Sequence, residues 1–171
     1  MTMLPWRKAG RALAVATSIW LISIGASAQE GLAGLSRAIG VAERSLGARA
    51  IEGRLETRNG ALVYEISLAR AGAFHKALVD AKSAQLIGVD EPRLEGMYRR
   101  WMDNDRLEAA QKPLAPILVS LEEHAQGRVH KVAMRIRKGR PLYEVQIETI
   151  HGVAEIDLDA TTGKRLAHSP D

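Results

Sequence analysis

LYEVQIETIHGVAEIDLDATTGKRL, from Leu142 to Leu166, decides the fold, because the chain has already written a version of it: Val63 to Ile87 reads VYEISLARAGAFHKALVDAKSAQLI. Shifted by 79 positions, residues 35–87 overlie 114–166 without a gap. Arg49 falls on Arg128, Gly60 on Gly139, Tyr64-Glu65 on Tyr143-Glu144, and Asp80-Ala81 on Asp159-Ala160. The identities are few. What repeats is the order of hydrophobic periods.

Each copy opens with a helical period. Leu35, Ala38, Ile39, Ala42 and Leu46 form one apolar stripe, and their counterparts Leu114, Ile117, Leu118, Leu121 and Ala125 are also apolar. Gly47 and Gly127 are the expected helix stops. Period two follows. In the second copy Val132, Met134 and Ile136 alternate with Ala133, Arg135 and Arg137, Lys138-Gly139 turns the chain, Tyr143, Val145 and Ile147 alternate with Glu144, Gln146 and Glu148, His151-Gly152 turns it again, and Ala154, Ile156 and Leu158 complete a third strand. The first copy follows with Ile51, Gly53 and Leu55, the Asn59-Gly60 hairpin signal, Tyr64, Ile66 and Leu68, then His75, Ala77 and Val79.

The pattern predicts an α+β protein of two αβββ units, each a helix packed on its own three-stranded antiparallel sheet. At about 50 residues, one such unit buries too little surface to be robust alone, so the two are expected to support each other. The units span 29–89 and 113–171, joined by residues 90–112, where Leu94, Met97, Tyr98 and Trp101 have the spacing of a helical linker docked on a sheet.

The first 28 residues carry a targeting pattern. Arg7, Lys8 and Arg11 precede an apolar run from Ala12 to Ile24, and Ala26-Ser27-Ala28 makes an A-x-A cleavage site. The run is short of the about 20 residues that a spanning helix needs, so a cleaved signal is expected rather than a stable membrane anchor. Cleavage would remove three of the 24 basic residues and no acidic one, leaving 21 against 20 and a charge near +1 instead of +4. The basic balance is thus largely a targeting feature and does not point to nucleic acid. With no cysteine, an exported chain has no disulfides, no thiol chemistry and no lipid attached through Cys. The expected location is the periplasm, or outside the cell. Apolar residues make up 46% of the chain and aromatic ones 4%, which predicts a core of Ala, Leu, Ile and Val.

A helix, a strand pair containing YEV, and a strand ending in V-D-A-x-T-G-x-V together resemble the PepSY domain, found in propeptides of thermolysin-like peptidases and in bacterial envelope proteins. The second copy carries LYEVQIE and EIDLDATTGKRL; the first carries VYEISLA and ALVDAKSAQLI. The residues that carry the resemblance are Tyr64, Asp80, Tyr143, Glu144, Asp159 and Gly163. The resemblance implies a non-catalytic regulatory module that binds an envelope protein, a peptidase or the periplasmic part of a sensor kinase, with no active site to carry across. The first copy departs from the motif where Lys82-Ser83-Ala84 stands for Thr161-Thr162-Gly163, and its turn is expected to differ, because Ala adopts φ > 0 only with strain.

No motif of an enzyme is present: no H-E-x-x-H, G-x-S-x-G, Walker A or dinucleotide fingerprint. No cofactor is expected. His124 and His130 flank the end of the second helix, but two histidines do not complete a metal site. Asp157 and Asp159 point the same way from one strand and could hold a hard cation, although the last Asp of each copy more often bonds its own turn. Tyr64 and Tyr143 read as core residues with a polar tip. Arg135, Arg137, Lys138 and Arg140 form a basic hairpin tip, by default a solvated face and otherwise a docking edge for an acidic partner or an anionic lipid. A small ligand or divalent metal held between the two units is the alternative to a protein partner.

Overall fold

The computed structural model describes residues 31–70, 73–90 and 112–167. The signal-peptide pattern of residues 1–28 and the helical-linker pattern lie outside these residues, save the linker's ends. In chain order the elements are α1 (Leu35–Leu46), β1 (Arg49–Arg58), β2 (Ala61–Arg70), β3 (Ala73–Asp80), β4 (Leu86–Asp90), α2 (Leu114–Ala125), β5 (Arg128–Arg137), β6 (Arg140–Thr149) and β7 (Gly152–Asp159).

The helices and six of the strands lie where the periods put them, but the assembly differs from two separate sheets. All seven strands form one antiparallel sheet in the order β4-β3-β2-β1-β5-β6-β7. The halves are joined by a ladder between β1 and β5, with Glu52 opposite Ala133, Gly53 opposite Val132 and Arg54 opposite Lys131. The expectation of two helix-on-three-strand units held by a linker is therefore corrected. The physical reason is edge removal: β1 and β5 would each present unpaired backbone groups at the rim of its own small sheet, and pairing them satisfies both rows at once.

That ladder is self-consistent with the repeat. Residue 53 and residue 132 are 79 apart, so each member of the central pair is the other's counterpart, and the halves are related by an approximate two-fold axis through the seam. One row of residues crosses the whole sheet: Val89, Ala77, Ile66, Gly53, Val132, Val145 and Ile156. Gly53 sits at its centre because a Cβ there would lie 3.1 Å from both Leu35 and Ile39 of α1. Leu35, Ile39, Ile66, Val132, Val145 and Ile147 are fully buried in a single core drawn from both halves.

Three local details also differ from expectation. β4 is an added strand that covers β3 in the first half, whereas in the second half, among the described residues, the equivalent chain makes a bridge from Arg165 to Leu158 and no named strand. Helix α2 ends at Gln126, in the left-handed conformation (φ 48), as α1 ends at Gly47 (φ 57). Gly127 serves a different purpose: a Cβ on it would meet the Glu148 carbonyl oxygen at 2.4 Å. The turns after β3 and β7, expected to differ, are alike, with Ala84 at φ 59 where Gly163 has φ 73. Ala84 is 4% exposed, so its buried methyl group offsets part of the backbone strain.

Candidate functional site

Neither helix carries a side-chain cap of its own: Gly34 precedes α1 and Pro113 precedes α2. Instead, the start of each helix is met by a glutamate from the other half. The carboxylate of Glu43, near the end of α1, accepts from the Leu114 amide at the start of α2 (3.2 Å) and from the Ala50 amide of β1 (3.2 Å). Its counterpart Glu122, near the end of α2, accepts from the Val129 amide of β5 (2.9 Å) and from the Ser36 hydroxyl at the start of α1 (2.6 Å). The helices therefore run antiparallel, and each carboxylate sits at the other's positive end. Both acceptors also serve the strand just before its bulge, which lies at Ala50/Glu52 in β1 and Val129/Lys131 in β5.

Of the two motif tyrosines, Tyr143 belongs to the same cross-half arrangement. Tyr143 is fully buried and its hydroxyl donates to the Ala50 carbonyl at 3.1 Å, from one half to the other. Burial, with the nearby Glu43 charge, pushes its hydroxyl pKa up. Burial likewise raises that of Tyr64, against a hydrogen bond with the Gly34 backbone. Both are staples with no proton to give near neutrality.

The motif aspartates close their own turns. Asp80 Oδ1 accepts from the Lys82 and Ser83 amides (3.1 and 2.8 Å) and the Ser83 hydroxyl (2.8 Å). Asp159 Oδ1 accepts from the Thr161 and Thr162 amides (3.1 and 2.7 Å) and the Thr162 hydroxyl (2.8 Å). The bonds from Ser83 and Thr162 hold the two carboxyls below the usual aspartate range. Asp157 is turned to the sheet face opposite the helices, where it takes Arg137 at 2.7 Å. The Asp157–Asp159 pair is thus engaged by a guanidinium and by backbone, and among the described residues no three His, Cys, Asp or Glu side chains gather as metal ligands. His124 and His130 go separate ways, the first to the Ser120 carbonyl (2.6 Å) and the second to Glu148 (2.8 Å).

On that opposite face the charges form ladders. Glu65 takes Lys76 at 2.7 Å and Arg54 at 3.4 Å, and also pairs with Arg58. Its burial alone would raise the carboxyl, but the bonds from Lys76 and Arg58 leave it below its ordinary value. The counterpart Glu144 takes Arg135 at 3.1 Å and Arg137 at 3.5 Å. Two of the four hairpin residues singled out from the sequence are therefore tied to carboxylates of their own sheet. Lys138, at φ 51 in the turn, and Arg140 are exposed.

Two grooves remain. One, about 810 Å3, runs over the crossing of α1 and α2 and has arginines and glutamates, including Arg37, Arg44, Glu43 and Glu123, along it. The other, about 540 Å3, lies between α2 and β7, with Ile117, Leu121, Ile156 and Leu158 as its apolar lining. Sequence reasoning missed both the second groove and the Glu43–Glu122 exchange, although the repeat places those two glutamates on one another.

No family model matches the chain, and no curated protein matches it. Among solved structures, the crystal structure of a candidate lipoprotein from Clostridium difficile 630 matches at 15% identity with a TM-score of 0.41, over 80% of this chain and 92% of that one. A likeness of that degree assigns neither a family nor an activity. Among the described residues no helix is long and apolar enough to cross a membrane.

Two outcomes follow from the geometry. Replacing Glu43 with Ala strands the Ala50 and Leu114 amides, so urea denaturation should show a loss of about 1–3 kcal/mol, and Glu122→Ala a comparable loss. The turn aspartates have depressed pKa values in the folded protein, so their stabilisation is present above the unfolded-state pKa and is lost as pH falls through the folded one. Asp80→Asn and Asp159→Asn should each lower stability near pH 7 and flatten its acid-side decline, as measured by thermal unfolding from pH 7 to below the ordinary aspartate range.

Proposed function

We propose that the chain is a non-catalytic regulatory module of PepSY type, exported to the periplasm, that binds an envelope protein (a peptidase or the periplasmic part of a sensor) by seating one of its extended segments on the free edge of β7. The observation that carries this reading is the asymmetry of the two rims. In the first half β4 pairs with β3 from Lys76 to Val79. In the second, among the described residues, the outer side of β7 is met at its end alone, by the Leu158–Arg165 bridge with the Asp159 amide on the Lys164 carbonyl and the Leu166 amide on the Asp157 carbonyl.

By the alternation of an antiparallel strand, the backbone groups of Val153 and Glu155 face the same way as the Asp157 carbonyl, outward. Val153 is 68% exposed and neighbouring Ile150 86% exposed. An edge of this kind accepts an added strand, with main-chain bonds giving affinity and alternate side chains giving selectivity. The basic hairpin is the weaker candidate surface, because Arg135 and Arg137 are already paired to Glu144 and Asp157. The PepSY reading is supported by Asp80 and Asp159 closing the same turn in both copies. Regulation would then be steric occupancy or a population shift in the partner, with no bond made or broken.

Site-specific crosslinking in living cells tests this. A photoreactive group at Val153 should capture one dominant envelope protein. Capture should fall sharply in Glu155→Pro, which removes an outward N–H that an edge strand can spare, and persist in the Lys138→Ser, Arg140→Ser double variant. Loss only in the hairpin variant would move docking to Lys138 and Arg140. Capture of nothing would refute the module.

A further inference from the structure

The groove between α2 and β7 is where the two halves of the protein diverge most in chemistry. In the first half the equivalent space is filled: Leu86, at the start of β4, and Ala33 pack on the core, and the helix stripe residues Ala38 and Ala42 are fully buried. In the second half the counterparts of Leu86, Ala33 and Ser45 are Arg165, Lys112 and His124. All three cationic or ionisable groups line the groove, and among the described residues no carboxylate does. The stripe residues of α2 that match Ala38 and Ala42 are the larger Ile117 and Leu121, and both remain only half-buried.

The rim groups have donors to offer. Among the described residues the Lys112 ammonium makes one long contact, 3.4 Å to the Thr162 carbonyl, leaving donor capacity for another acceptor. His124 uses Nδ1 on the Ser120 carbonyl, which leaves Nε2 for a ligand. Arg165 is exposed at the bridge to Leu158. An apolar trough with cations along its rim complements a molecule with one alkyl chain and one anionic head. Its volume of about 540 Å3 lies within the about 300–1,000 Å3 usual for small-molecule sites.

We propose that this groove is a binding site for a linear fatty carboxylate, with the alkyl chain along Ile117, Leu121, Ile156 and Leu158 and the carboxylate held by Arg165 or Lys112. The site is separate from the partner edge proposed above and does not depend on it.

Isothermal titration calorimetry of the full chain with sodium decanoate, octanoate and hexanoate tests the proposal. Decanoate should bind at one site with saturation. Each two-carbon shortening should weaken binding by about fifteen-fold, the equivalent of about 0.8 kcal/mol per buried methylene. Decylammonium should bind more weakly than decanoate. Ser120→Trp, an exposed position on the wall of the groove, should abolish binding while leaving the urea midpoint unchanged, and Arg165→Glu should weaken it by roughly five-fold. Failure of decanoate to saturate, indifference to Ser120→Trp, or equal binding of decylammonium would each overturn the proposal. Tighter binding of N-acetyl-trileucine than of decanoate would overturn it in favour of a peptide carboxylate. Crosslinking at Val153 is read out separately, so either reading can fail while the other stands.

Discussion

The short ladder between β1 and β5 is the constraint on which the rest of the molecule depends. It turns two small rims into the middle of one sheet, and by setting Gly53 against Val132 it fixes the two-fold relation between the halves. With the strands in that register, the helices must lie antiparallel over the seam, so the end of each comes beside the start of the other. The Leu114 amide of α2 then meets Glu43 of α1, and the Ser36 hydroxyl of α1 meets Glu122 of α2. Tyr143, reaching the Ala50 carbonyl across the same seam, adds a bond of about 1 kcal/mol in a place where an unpaired hydroxyl would cost more.

A two-fold repeat makes every departure from symmetry informative. Along much of the repeat the halves agree down to single hydrogen bonds: the turns of Asp80 and Asp159, the bulges after Ala50 and Val129, and the pairs of Glu65 with Arg58 and Glu144 with Arg137. They disagree at the outer rims. The first half closes its rim with β4 and Leu86; the second has Arg165 at the matching position, an apolar groove beneath α2 and, among the described residues, no strand paired along β7's outer side.

Much of this was legible in the sequence because strands, helices and turns are local. The alternation around Val132, Met134 and Ile136 and the Asn59-Gly60 and Lys138-Gly139 turns needed no tertiary knowledge, and the 79-residue offset exposed the repeat. The choice of which edges pair is non-local, and here it was misread: the weakness of a 50-residue unit pointed to mutual support, but periodicity is silent on whether that support comes from packing or from a shared sheet. Ala84 shows a second limit. Its turn matches that of Gly163 because Asp80 and Ser83 supply the same bonds as Asp159 and Thr162, and those outweigh the cost of a Cβ at positive φ. The basic hairpin shows a third, since a run of arginines in sequence does not reveal the carboxylates that stand across the strand from it.

Amide hydrogen exchange in the native state, followed against urea, tests the shared sheet most directly. If the seam makes one cooperative unit, the amides of Ile66 in β2 and Val145 in β6 should open with the same free energy and the same urea dependence, both equal to those of global unfolding. If either half exchanged through a separate opening several kcal/mol below the other, the halves would be independent domains, and the account built on the β1–β5 ladder would be wrong.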